Sequence, residues 1–167
     1  MSLVAGCEIG TEMPPQAEAT SKVDARVADS PRIAVKYRVG RGNLKFVEGY
    51  QQGHSEALAQ SKPMLVFFTA EWCHFCHQMA DEAFRHPQVA RLSERFVCIL
   101  VDADREPQIC RQFGVTGYPT IQFLSPRGVP LERIVGKKPG HQVMMAMQAA
   151  LQNVARRNAA GRGSVVR

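Results

Sequence analysis

With 167 residues, 45% of them hydrophobic and 22% charged, the chain has the length of one domain and an ordinary globular composition. It is long enough to bury a core without disulfide staples, and no apolar run approaches the roughly 18 residues of a membrane-spanning helix. The net charge of +6 is uneven: residues 1–30 carry five acids against two bases, while residues 156–167 carry four arginines and no acid.

Residues 1–31 hold few large apolar side chains and read as a flexible leader or tether. Within them V-A-G-C resembles the end of a bacterial lipoprotein signal, with Cys7 as the lipidated residue. The apolar stretch that should precede such a signal is missing from the six residues before Cys7. The match therefore holds if Met1–Leu3 stand in place of a signal, and is chance otherwise. Ile33–Tyr37 is expected as an edge strand, with a turn at Gly40–Gly42. Tyr50–Gln60 reads as a helix with Ala57 and Leu58 on one side, closed by Lys62-Pro63.

Met64–Phe68 is a continuous apolar run without alternation, the pattern of a strand covered on both faces. A helix is expected over Phe75–Phe84, with Phe75, Met79, Ala80, Ala83 and Phe84 at helical spacing. His86-Pro87 interrupts it, and Val89–Phe96 forms a second short helical segment. Phe96–Val101 is another wholly apolar strand, with Cys98 packing in it as a small hydrophobe. Arg105–Phe113 is a helix carrying Cys110, capped by Gly114. Thr116–Pro119 is a turn. Thr120–Leu124 and Leu131–Val135 form a hairpin across S-P-R-G, and Pro139 to about Arg156 is the closing helix.

The first two of these strands are joined by a helical crossover, which implies a parallel βαβ unit. The expected fold class is thus α/β, a mixed central sheet flanked by helices, over residues 32–157. Residues 158–167 form a basic, flexible tail. That tail has no aromatic residue to stack on bases, so no nucleic-acid partner is expected.

Five cysteines is an odd number, so at least one is unpaired within the chain. The chemistry concentrates at E-W-C-H-F-C-H, residues 71–77. Three readings fit this spelling. A dithiol couple is the first. Placed where a buried strand turns into a helix, Cys73 meets unpaired backbone N–H groups and the positive helix end. Both favour its thiolate, the reactive form. Cys76, one turn deeper, can then resolve a mixed disulfide on Cys73. His74 beside the nucleophile would tune its pKa through charge or a hydrogen bond. The second reading is c-type haem attachment through Cys-x-x-Cys-His, with His77 as axial ligand. The third is zinc, but structural zinc draws on two separated ligand pairs, and no second pair exists in the chain. No metal ligand is therefore assigned, and the remaining histidines read as surface residues.

From about Tyr50 to Arg156 the chain resembles the thioredoxin-like proteins. The carriers are F-F-T-A-E-W-C-H-F-C and, about forty residues on, G-V-T-G-Y-P-T. H-P-Q-V after the cysteine-bearing helix is similar to periplasmic-facing members such as the C-terminal domain of DsbD. The resemblance implies a thioredoxin-like fold, a cis peptide bond before Pro119, and a substrate groove made by Trp72, Tyr118 and Pro119. It also exposes departures. Thioredoxins proper place Gly-Pro where this chain has His74-Phe75. Their buried acid aligns with Phe67, and the lysine that supports it aligns with Leu100. Proton transfer at the deeper cysteine is then absent, or falls to Glu71, His74, His77 or water.

The expectation is a thiol-disulfide oxidoreductase acting on proteins, with Cys73 as nucleophile and Cys76 as resolving thiol. No dissociable cofactor is needed, because the electrons reside on sulfur. A non-catalytic client-binding module is the alternative, with haem electron transfer behind it. The expected partners are protein thiols or disulfides and a redox partner protein, the expected state a monomer. The expected location is the bacterial cell envelope on the periplasmic side, lipid-anchored through Cys7, with the cytoplasm as the alternative.

Overall fold

The computed structural model describes residues 38–162, all within one compact unit. Cys7, the leader and the strand expected at Ile33–Tyr37 lie outside the described residues. The elements run β1 (Arg38–Arg41), β2 (Leu44–Glu48), α1 (Tyr50–Gln60), β3 (Met64–Thr69), α2 (His74–Glu82), α3 (Pro87–Ser93), β4 (Val97–Asp102), α4 (Pro107–Gln112), β5 (Thr120–Leu124), β6 (Pro130–Val135) and α5 (Gly140–Arg162). They build one six-stranded sheet in the order β1-β2-β4-β3-β5-β6.

β3 and β4 are parallel and central, as the crossover requires, with Met64 opposite Val97 and Phe67 opposite Leu100. β5 runs antiparallel to β3, and β6 antiparallel to β5. Every residue of β3 is buried, because helices cover both faces of the sheet. Leu65 and Phe67 point into one cluster with Met79, Phe84, Val89, Val143 and Met147, from α2, α3 and α5 and the segment after α2. Met64, Val66 and Phe68 point into the other, with Ala57 of α1 and Cys110 of α4. Alternation along the strand is present, but both faces are apolar, so it does not show in the sequence.

Several expectations need correction. The turn at Gly40–Gly42 belongs to a two-residue hairpin loop, Gly42-Asn43, with Arg41 opposite Leu44. Gly40 sits inside β1, and β2 was not foreseen. β2 then lies parallel to β4 through Val47 and Ile99, so the sheet gains two strands. On α1, Ala57 is buried but Leu58 is 50% exposed, because consecutive helical residues are about 100° apart. α5 continues to Arg162, so helix replaces the first part of the expected tail. Residues 163–167 lie outside the described residues.

The unforeseen hairpin braces the helix that carries the cysteines. The Asn43 amide donates to the Phe84 carbonyl at 3.1 Å, and Asn43 Nδ2 donates to the Arg85 carbonyl at 3.1 Å. Gly42 has φ +59, and a Cβ there would stand 2.3 Å from the Ala80 carbonyl oxygen and 2.9 Å from Phe84 Cβ. Only glycine fits this approach. Gly42→Ala should lower stability by about 1–3 kcal/mol through overpacking against a backbone that cannot yield. Urea unfolding reads this as a lower midpoint; an unchanged midpoint would show that the hairpin does not brace α2.

Candidate functional site

β3 ends at Thr69, and a tight turn follows in which the Cys73 amide donates to the Ala70 carbonyl at 3.1 Å. The turn delivers Cys73 to the N-cap of α2, with φ −80 and ψ 94. An N-cap side chain ordinarily offers an oxygen to the free amides of the first turn. Here sulfur shares that role: the Cys76 amide donates to Cys73 Sγ at 3.2 Å and to the Cys73 carbonyl at 3.0 Å. Cys73 and Cys76 are joined by a disulfide. They are only 5% and 2% exposed, packed with Met79, Ala80 and the β3 face.

The neighbours are arranged unequally. Trp72 is 69% exposed. Its ring meets Tyr118 edge-on, with centroids 5.9 Å apart, and its indole N–H donates to Asp104 Oδ1 at 3.3 Å. The structure thus brings Trp72 and Tyr118 together from segments far apart in the sequence. The Tyr118–Pro119 peptide bond is cis, and Pro119 is buried at the entry to β5. Tyr118 is half-buried and packs against both apolar clusters. Burial pushes its phenol up to about 12, and the Cys110 sulfur adds to that rise.

Phe75, expected on the apolar face of α2, is instead 58% exposed. It occupies the second helical position, and the inward stripe begins with Cys76 and continues through Met79 and Ala80. His74 is exposed, and its Nε2 lies 2.9 Å from Gln78 Nε2. The Gln78 carbonyl oxygen already accepts from Lys137 Nζ at 3.0 Å, so the amide nitrogen donates to the imidazole. His77 Nε2 lies 3.0 Å from the Glu71 carbonyl oxygen. A carbonyl only accepts, so this ring nitrogen carries the hydrogen.

Beside the pair opens a cleft of about 250 Å³, whose wall includes Cys76, Phe67, Glu71, His77, Asp102 and Arg105. Phe67 is 1% exposed and sits opposite Leu100, so the two positions where the resemblance places an acid and a lysine are both apolar and face each other's strands. Arg105 forms an ion pair with Glu48 at the cleft. Among the described residues, no group of three or more His, Cys, Asp and Glu side chains is arranged to hold a metal ion.

Several contributors were not singled out in the sequence. Asp104 anchors Trp72 across thirty-two residues. Gln78 and Lys137 engage His74 through a two-step chain. Glu48 reaches the cleft only because β2 joins the sheet. Cys110 was taken as a structural thiol on a helix; it is buried, in the apolar cluster against which Tyr118 packs. The D-A-D that closes β4 was the one local signal, since carboxylates at the end of a buried parallel strand sit at the same sheet edge as the cysteines.

A family model described as Thioredoxin-like domain matches residues 50–151. The chloroplastic thioredoxin-like protein HCF164 of Arabidopsis thaliana is 31% identical over 125 residues, covering 73% of this chain and 48% of that protein. The thiol:disulfide interchange protein DsbD of Vibrio vulnificus (strain YJ016) is 31% identical over 108 residues, covering 62% of this chain and 18% of that protein. The chain thus spans less than half the length of these two relatives. Among solved structures, a thioredoxin from Thermus thermophilus superposes with a TM-score of 0.60 at 27% identity, covering 72% of this chain and 95% of that one.

Proposed function

Since the chain belongs to the thioredoxin-like domain family, we propose that it is a thiol-disulfide oxidoreductase acting on protein substrates through the Cys73–Cys76 couple. The observation that carries the proposal is the position of the Cys73 sulfur, accepting a backbone N–H at a helix start and already bonded to Cys76.

In the reducing direction the Cys73 thiolate attacks one sulfur of a substrate disulfide. A Cys73–substrate disulfide forms, and the other substrate sulfur leaves as thiolate. Cys76 then loses its proton and attacks the Cys73 sulfur. The 73–76 disulfide forms and the second substrate thiolate departs, so two electrons pass from the dithiol to the substrate. The oxidising direction is the reverse. Backbone amides at the α2 start stabilise the Cys73 thiolate, and His74 at the first helical position adds a tunable dipole or charge. Trp72, Tyr118 and Pro119 form the groove for an extended substrate segment. With Phe67 in place of an acid, the Cys76 proton leaves through the polar cleft lined by Glu71, His77 and Asp102. No dissociable cofactor enters this scheme.

One observation favours the non-catalytic alternative: the acid position is filled by buried Phe67, while Trp72 and Phe75 stand exposed for a client. The haem reading loses ground to geometry. Cys76 is 2% exposed in the first turn of α2, packed in the apolar cluster rather than offered to a macrocycle, and His77 Nε2 is committed to the Glu71 carbonyl.

Insulin reduction by dithiothreitol separates the first two. Cys73→Ser should cut the catalysed rate by roughly two orders of magnitude or more, down to that of the reductant alone. Cys76→Ser should accumulate a mixed disulfide with insulin, visible as a mass adduct. Equal rates for the native protein and Cys73→Ser would remove the enzyme and leave the client-binding module. Finally, the lipid anchor rests on V-A-G-C alone, and the envelope location on V-A-G-C together with H-P-Q-V, which is similar to periplasmic-facing members of the family. Mass spectrometry of the native product should show a diacylglycerol adduct on Cys7, and an unmodified Cys7 would discard the anchor.

A further inference from the structure

His74 stands exposed at the start of α2, yet its ring is held by neighbours that the catalytic scheme does not use. Gln78 lies four residues on, about one helical turn away and on the same face. Its Nε2 meets His74 Nε2 at 2.9 Å. Its Oε1 accepts from Lys137 Nζ at 3.0 Å, and the same ammonium donates to Glu82 Oε1 at 2.7 Å. Lys137 follows β6, and the residue before it is tied to the groove, since the Gly136 amide donates to the Pro119 carbonyl at 2.8 Å. The Gln78 side chain is thereby oriented one way, with its oxygen toward the cation and its nitrogen toward the imidazole.

We propose that Gln78 is a positioning residue for the cysteine pair: set by Lys137, its side-chain amide holds His74 as the neutral tautomer with the hydrogen on Nδ1, so Cys73 is met by a fixed dipole and not by a charge. This deepens the oxidoreductase reading, and for its effect on Cys73 it rests on His74 acting there. The reasoning is a count of donors. An amide N–H needs an acceptor, and a neutral imidazole offers one, the ring nitrogen without a hydrogen. An imidazolium offers two donors and no acceptor. Accommodating it would require the Gln78 amide to turn over, which sets the amide nitrogen against the Lys137 ammonium, donor against donor. Lys137 is half-buried and engaged by Gln78 and Glu82 together, so it blocks that turn. Positive charge at the Cys73 thiolate then comes from the helix start, and not from His74.

The first test reads the tautomer by carbon and nitrogen NMR of the histidine rings in the oxidised protein, at about pH 8, above the ordinary histidine range near 6.5. The His74 signals are assigned by their loss in His74→Ala. The native ring should carry its hydrogen on Nδ1. Gln78→Glu, whose carboxylate only accepts, should move it to Nε2. Gln78→Leu and Lys137→Met should each give a mixture. The second test is the equilibrium of the 73–76 couple with glutathione at about pH 6.5, where an unheld histidine is about half protonated. Gln78→Leu frees the ring to take a proton, and a cation beside the Cys73 thiolate favours the reduced pair. The equilibrium constant should move about threefold or more toward the dithiol. In a His74→Ala background the same substitution should change it by less than about 1.5-fold, because Gln78 acts through the ring. A native ring with its hydrogen on Nε2 would overturn the proposal. So would a Gln78→Leu shift that persists without His74, or an unchanged constant in Gln78→Leu where His74→Ala alters it. If His74→Ala itself leaves the constant unchanged, the tuning role of His74 fails separately, and the tautomer alone decides the role of Gln78.

Discussion

The site depends on one hydrogen bond, from the Cys76 amide to the Cys73 sulfur at 3.2 Å. A helix start leaves its first amides without partners, and most proteins answer them with an oxygen worth about 1 kcal/mol. Using sulfur gives up some of that stabilisation, since sulfur is a weak acceptor when neutral. The return comes when the thiol ionises. The same amide, and the helix dipole behind it, then face a full negative charge. Such settings bring cysteine pKa values from about 8.5 down to roughly 3.5–7.5.

That bond exists only because the strand before it is rigid and the helix after it cannot shift. β3 lies between β4 and β5 and is buried along its whole length. α2 is held from below by Met79, Ala80, Phe67 and Phe84 in one cluster, where the Phe67 and Phe84 rings meet edge-on at 5.0 Å. The same packing that fixes the sulfur leaves Phe67 where an acid would take the Cys76 proton. The proposed chemistry therefore pairs a cysteine at the helix N-cap with an apolar residue at the acid position. A polar cleft beside Cys76 opens toward Asp102 and His77, and under the proposed function it takes the proton that the resolving thiol releases.

Local patterns made most of this legible. The uninterrupted apolar runs of β3 and β4, the span of α1, and the helix break at His86-Pro87 all follow from residue type and spacing. The cysteine pair could be placed at a strand-to-helix turn because its neighbours on both sides have strong periodic signals. The N-terminal hairpin was missed although Gly-Asn is a hairpin dipeptide; its flanking strands are short, and R-V-G-R has little β character. Phe75 was misplaced because a helical stripe cannot tell an inward residue from an outward one in the first turn. The partners Asp104 and Lys137 were illegible for a different reason. Each meets the site across thirty or more residues, and no local pattern encodes that encounter.

The most direct measurement is the ionisation of Cys73 in the reduced protein, followed by thiolate absorbance near 240 nm against pH in a Cys76→Ala variant, whose backbone amide remains. A midpoint clearly below the roughly 8.5 of a free cysteine is what the N-cap geometry requires. A midpoint at or above that value would mean that the helix start does not stabilise the sulfur, and the account built on it would fail.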